Sequence, residues 1–183
     1  MKHLTRAVTL LAALAVATPA LARPPGMEDE PKPVDSPFTV RLDYTYDDSL
    51  SLGRSGHGFE LGFGRYLYER SEVYVFYGFN KASRSDQHTA GLAAETTYWM
   101  KQDIPLRPTL GAGLGYASAK LADESNEDGF FVRFSAGLKL ELHPDAHLAG
   151  GVNFYVSPSD IFPSGNSATD TNVTFFLGLR FHY

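Results

Sequence analysis

Two histidines at the edges of predicted strands have side chains suited to acid–base chemistry. His57 and His88 each border an alternating segment, and Ser85 and Asp86 lie just before His88. A histidine with an acid and a hydroxyl nearby is the arrangement of a hydrolase site, in which the imidazole takes the hydroxyl proton. The sequence therefore raises a hydrolytic function, although solvated histidines without a catalytic role fit these positions better.

A second set of reactive groups consists of charges on one face of the alternating segments. These are Arg41, Asp43, Glu60, Glu95, Arg107, Arg133, Lys139, Glu141 and Arg180. Isolated charges away from water are costly, so we expect them to pair across an enclosed interior. The pattern favours a structural ion-pair network, with a gated polar pore as the alternative.

Metal and cofactor sites are not predicted. His143 and His147 flank Asp145 in a short turn and could bind a transition metal weakly, but a solvated turn is the better interpretation. Gly111-x-Gly113-x-Gly115 has no helix after it, which argues against a dinucleotide site. The chain has no cysteine, which excludes a disulfide scaffold and a thiolate metal site.

The elements that must position these side chains repeat with a period of two from Phe38 onward, as β-strands do. In the last of them, Phe175, Leu177, Leu179 and Phe181 alternate with smaller or polar residues. Most of the segments are long enough for a tilted strand to cross a bilayer, which takes roughly 9–11 residues. The eight predicted strands are Phe38–Tyr46, Gly58–Tyr68, Val73–Phe79, His88–Met100, Leu106–Ser118, Phe130–Leu142, Leu148–Val156 and Val173–Tyr183.

The connections between these strands alternate in length. Long polar connections follow the odd-numbered strands: Asp47–His57, Asn80–Gln87, Ala119–Gly129 and Ser157–Asn172. Short ones follow the even-numbered strands: Glu69–Glu72, Lys101–Pro105 and His143–His147. Long loops at one end and tight turns at the other are typical of outer-membrane barrels.

Glycines decide which face of the predicted strands points inward. Soluble and membrane barrels both alternate with period two, so alternation alone does not distinguish them. Here the charged face also carries glycines, such as Gly62, Gly113 and Gly178, which suit a crowded barrel interior. The other face is apolar, and aromatic residues stand at strand ends, where membrane-interface girdles fall. We therefore expect the charges inside and the apolar residues against lipid.

The first 37 residues are set apart from the predicted barrel. Residues 1–22 have basic Lys2 and Arg6, an apolar run and an A-x-A ending, the pattern of a cleaved signal peptide. Residues 23–37 hold five prolines and four acidic residues and predict a flexible periplasmic linker before a barrel over 38–183. Removal of Lys2 and Arg6 takes the formal net charge from −5 to −7, which argues against nucleic acid as a partner.

The chain resembles the small outer-membrane β-barrels of the OmpA/OmpX type over Phe38–Tyr183. The resemblance rests on the eight strands, the loop asymmetry, the glycine-rich polar interior and the ending Phe175, Leu177, Leu179, Phe181 and Tyr183. It implies an all-β, antiparallel up-and-down transmembrane barrel in a Gram-negative cell envelope. It also implies that the ending is the insertion signal read by the barrel-assembly machinery.

The expected function follows from this class. We expect a non-enzymatic surface barrel whose loops meet the exterior, with outer-membrane lipids, lipopolysaccharide, periplasmic chaperones and the assembly machinery as partners. One alternative is a lipid-modifying enzyme using His57 or His88, although the His-x-Ser pattern of such barrels is absent at both. The other is a narrow channel for small solutes, which a side-chain-filled eight-stranded barrel disfavours.

Overall fold

A computed structural model describes residues 38–49, 54–68, 70–82, 85–98, 106–121, 126–164 and 167–183. The predicted signal peptide and linker lie outside these residues. The strands are β1 (Phe38–Ser49), β2 (Arg54–Tyr68), β3 (Ser71–Ala82), β4 (Ser85–Thr97), β5 (Leu106–Lys120), β6 (Asn126–His143), β7 (Ala146–Val156), β8 (Phe162–Ser164), β9 (Ser167–Thr169) and β10 (Thr171–His182). None of the described segments is a helix with the length and apolar character to span a bilayer.

Eight of the strands close into an antiparallel barrel in the order β1-β10-β7-β6-β5-β4-β3-β2. This confirms the predicted fold class. Each of these eight strands pairs with the next barrel strand in the chain, and the hairpin β8–β9 lies in the connection between β7 and β10. The last strand, β10, pairs with β1, with Thr39 opposite His182 and Asp47 opposite Thr174. The main chains of Phe38 and Tyr183 also bond to each other, Tyr183 N donating to Phe38 O at 2.9 Å. Closure leaves the barrel without an unpaired strand edge.

Several strands continue further toward the long loops than the apolar pattern predicts. The strand predicted from Gly58 begins at Arg54, and the one predicted from Phe130 begins at Asn126. Main-chain pairing does not depend on side-chain polarity, so the ladder continues through polar residues beyond the apolar run. The connection predicted as Asp47–His57 therefore shortens to positions 50–53.

The two faces of the barrel have the reverse of the polarity of a soluble protein. Side chains of Phe59 and Phe130 on the outer face are 59% and 70% exposed, whereas Arg133 and Arg180 inside are 1% and 2% exposed. Burying guanidinium groups while exposing aromatic rings is unfavourable in water, because the buried charges lose their hydration and the exposed rings lose the free energy gained by leaving water. The arrangement suits a barrel whose outer face does not meet water.

Candidate functional site

Glu95 is the centre of an ion-pair cluster inside the barrel, near the tight-turn end. Its carboxylate lies 2.6 Å from Arg41 Nη2 and 2.7 Å from Lys139 Nζ. These three side chains come from β4, β1 and β6, so the contacts cross the interior as well as the sheet. All three are almost fully buried. One carboxylate between two cations makes Glu95 the residue on which this cluster depends most.

Glu72 belongs to the same cluster, although the sequence interpretation placed it in the turn Glu69–Glu72. The structure begins β3 at Ser71 and directs Glu72 inward, where it is 1% exposed. The Thr39 hydroxyl donates a hydrogen bond to it, and its carboxylate lies 3.9 Å from Lys139 Nζ. Because side chains alternate along a strand, the inward position of Tyr74 also predicts an inward side chain two residues earlier, at Glu72.

Arg133 and Glu60 form a second ion pair higher in the barrel. Arg133 Nη1 donates to both carboxylate oxygens of Glu60, at 2.9 and 2.7 Å, and Nη2 donates to the Tyr74 hydroxyl at 2.5 Å. The guanidinium also lies over the ring of Phe76, 3.9 Å from its centroid. Arg41 lies 3.7 Å over the Tyr74 ring, so Tyr74 joins the two clusters.

The remaining predicted charges are also paired. Arg180 bonds to Asp43 across the β1–β10 closure, and both side chains are buried. Arg107 bonds to Glu141 near the turn end, where the side chains are 21% and 34% exposed. The structure thus brings all nine predicted interior charges into pairs and adds Glu72.

The buried interior is close to electrically neutral. Four buried cations, Arg41, Arg133, Lys139 and Arg180, face four buried carboxylates, Asp43, Glu60, Glu72 and Glu95. Each charge therefore has an opposite charge within reach, which is the condition under which buried ions are tolerated. Such a set links strands on different sides of the barrel through their side chains.

An aromatic layer lies above the ion pairs, toward the long loops. Phe131 packs with its centroid 6.3 Å from Phe76, 5.3 Å from Tyr155 and 6.1 Å from Phe162. Tyr155 and Phe162 lie 5.8 Å apart, and Ile161 is buried beside them. This layer lies inside the barrel between the ion pairs and the long loops.

Phe162 and Ile161 belong to the connection Ser157–Asn172, which the sequence interpretation treated as a long polar surface loop. That expectation is wrong for part of the loop. It folds into the hairpin β8–β9 and inserts Ile161 and Phe162 into the barrel mouth, both 1% exposed. Main-chain bonds hold it, including Ile161 N to Thr169 O at 3.0 Å. Burial of these two apolar side chains stabilises the position of the hairpin.

The structure separates the hydroxyl of the hydrolase hypothesis from its histidine, whereas Asp86 shares the outer face of β4 with His88. Ser85 is buried on the inner face of β4, whereas His88, three residues later, is exposed on the outer face. His88 Nδ1 lies 2.7 Å from the hydroxyl of Tyr77, and His57 Nδ1 is hydrogen-bonded to the hydroxyl of Tyr44. Both imidazoles therefore meet a phenol on the outer surface, and the hydroxyl of Ser85 lies on the opposite side of the sheet from His88.

The histidines near the β6–β7 turn separate in the same way. His143 is exposed, with Nδ1 3.7 Å from Asp145. His147 points inward, and its Nδ1 lies 2.9 Å from His182 Nε2, with the Tyr66 ring stacked 5.1 Å from His182. Within the described ranges, no three histidine or acidic side chains are grouped as metal ligands.

The C-terminal residues of the predicted insertion signal share the outer face of β10. Phe175, Leu177 and Tyr183 are exposed, and Leu179 and Phe181 are partly exposed. They form one apolar stripe beside β1 and β7. That the barrel-assembly machinery recognises these residues stays a prediction.

Comparison with known proteins shows the fold. No protein family matched the chain, and no curated protein was similar in sequence. Among solved structures, it is similar to Neisserial surface protein A, at 18% identity and a TM-score of 0.61, covering 80% of this chain and 97% of that one. It also resembles the N-terminal β-barrel domain of Pseudomonas aeruginosa OprF, at 16% identity and a TM-score of 0.55, covering 79% and 97%. A de novo designed transmembrane β-barrel matches at 16% identity and a TM-score of 0.53, covering 86% and 100%.

Proposed function

We propose that this chain, which has the fold of the small eight-stranded outer-membrane barrels, is a non-enzymatic integral outer-membrane protein with a sealed lumen. In this proposal residues 1–22 direct export, residues 23–37 form a periplasmic spacer, and the loops at the end opposite the tight turns meet the exterior. Its partners are the outer-membrane lipids, periplasmic chaperones and the barrel-assembly machinery, which reads the apolar stripe of β10. Structural support of the envelope or a surface interaction through the loops is the role of such a barrel.

The observation that carries the proposal is the reversed polarity of the two faces. Large apolar side chains cover the outer face, including Leu61, Phe63, Leu114 and Leu177. Single exposed apolar residues are normal in a soluble protein, but a continuous apolar band around a closed barrel is not. A bilayer is the environment in which this band is the favourable surface.

Heat-modifiable gel mobility tests the location. We expect the mature chain to be in the outer-membrane fraction and to migrate faster in a gel when unboiled than when boiled, because the closed barrel resists the detergent. The control is a soluble periplasmic β protein, which should migrate at the same position whether or not it is boiled. Recovery of this chain in the periplasmic extract, without a mobility shift, would overturn the membrane assignment.

The side chains inside the barrel support the proposal that it does not conduct. Ion pairs lie in the turn-end half and the aromatic layer lies in the loop-end half, so a solute that entered the barrel would have to pass both. We expect the refolded barrel in a planar bilayer to show no single-channel steps. Reproducible steps from the wild-type chain, absent from a mock refolding, would favour the narrow-channel alternative instead.

A further inference from the structure

Three tyrosines on the outer face form a repeated arrangement, which we call the tyrosine belt: Tyr44 on β1, Tyr77 on β3 and Tyr116 on β5. All three are exposed. Each hydroxyl bonds to a residue on the next strand that is two residues closer to the long loops than the residue directly opposite the tyrosine: His57 Nδ1, His88 Nδ1 and Asp128 Oδ2 respectively. Tyrosine is enriched at the interface between an apolar environment and water, so the belt marks the loop-side boundary of the apolar band.

The tyrosine contacts decide what the two histidines present outward. A phenol hydroxyl is more acidic than a neutral imidazole N–H, so next to a neutral ring Tyr44 and Tyr77 donate and the Nδ1 atoms accept. The proton of each neutral ring is then on Nε2, which is a donor. A doubly protonated ring also donates from Nε2. His57 and His88 therefore each offer an N–H group at the boundary.

Lys81 lies between these histidines on the outer face. It is directly opposite His57 in the β2–β3 register. On β3 it is two residues closer to the loops than Phe79, which is opposite His88. Neighbouring strands are about 4.8 Å apart, so the three donor groups share a patch that a single small anion can reach. Lys81 and both histidines are exposed.

The next charges along this rim are two ammonium groups and two carboxylates. Asp86 faces Lys81 on one side and Lys120 on the other, and Asp128, to which the Tyr116 hydroxyl donates, lies one strand beyond Lys120. Lys81 is the cation that lies beside the two histidine donors, and Asp128 is the carboxylate farther from it. The patch faces away from the barrel axis, toward the surroundings of the tyrosine belt, and not into the lumen.

We infer that His57, Lys81 and His88 bind a phosphate group of a lipid headgroup in the outer leaflet. The inference rests on the proposed outer-membrane location, which puts phosphorylated headgroups at the height of the tyrosine belt. A lysine and two neutral N–H donors complement the charge and the acceptor oxygens of a phosphate. The two histidines that suggested catalysis are, on this account, ligand-binding residues.

Native mass spectrometry of the refolded mature barrel tests this site. The probes are bisphosphorylated lipid A and the same lipid with both phosphates removed, added to barrel in a neutral detergent. We expect wild type to favour the phosphorylated form by about tenfold, since charge-assisted hydrogen bonds are the stronger class. Lys81→Gln and the double variant His57→Phe/His88→Phe, which keeps the ring packing, should each lose most of that preference.

Arg65→Gln is the matched control, because Arg65 is an exposed cation on the outer face of β2 at the opposite end. It should leave the preference unchanged. Equal binding of both lipids, or equal losses in Lys81→Gln and Arg65→Gln, would overturn the site in a barrel that still shows heat-modifiable mobility. Displacement of the lipid by an equal concentration of inorganic phosphate would also overturn it. Failure of the wild-type mobility shift would instead overturn the proposed location.

Discussion

Replacing Glu95 by glutamine should lower the free energy of unfolding by about 3–5 kcal/mol. The carboxylate lies 2.6 Å from Arg41 and 2.7 Å from Lys139, and both cations are almost fully buried. The amide keeps the shape of the side chain but leaves two cations without their shared counter-charge. Urea titration of the barrel in phospholipid vesicles, followed by circular dichroism, measures the change.

Glu141→Gln is the matched control for this variant. Glu141 pairs with Arg107, but the two side chains are 34% and 21% exposed, so water can replace the lost charge. We expect that variant to lose about 1 kcal/mol or less. If the two substitutions cost the same, the interior pairs are no more buried in solution than the partly exposed one, and the account of the lumen is wrong.

Replacing Gly113 by valine should destabilise the barrel by on the order of 3 kcal/mol or prevent its assembly. A Cβ atom at Gly113 would lie 2.7 Å from Ala93 Cβ and 2.8 Å from the Leu92 carbonyl oxygen, and neither neighbour is a flexible side chain that can swing away. The fraction of chain that runs as the compact, heat-modifiable form measures the effect.

The neighbouring substitution Ala112→Val separates crowding from a general effect of β-branching. Ala112 is on the same strand but on the outer face, where the added methyl groups point away from the lumen. We expect its stability to change by about 0.5 kcal/mol or less. A Gly113→Val barrel as stable as the Ala112→Val barrel would mean that the glycines are not required by interior crowding.

The period-two pattern predicted the strands, and the alternating loop lengths and the glycines on the charged face predicted the type of barrel and the orientation of its strands. Once glycine and charge share a face, the inward position of residues such as Arg133 and Lys139 follows from alternation alone. The partner of each charge in an ion pair does not follow from alternation, because it depends on strand tilt and on the stagger of distant strands. The ion pair between Arg133 and Glu60 could therefore not be predicted from the sequence.

Two misses have different physical causes. The sequence predicts a turn at Glu72 because the apolar alternation that marks the next strand begins only at Val73. The β8–β9 hairpin was missed because its strands are three residues each, too short for a periodic signal. Its position depends on contacts of Phe162 with Phe131 and Tyr155, which belong to the other strands β6 and β7. A local sequence pattern does not reveal such contacts.

The bond between Arg180 and Asp43 joins residues 137 positions apart and exists only when the first and last barrel strands meet. The pairs of Arg41 with Glu95 and of Arg133 with Glu60 join strands that are not neighbours even in the closed barrel. At the proposed location, a sheet that entered lipid before closing would expose these charges without partners, at a high cost in free energy. We therefore expect insertion and closure of the barrel to be coupled.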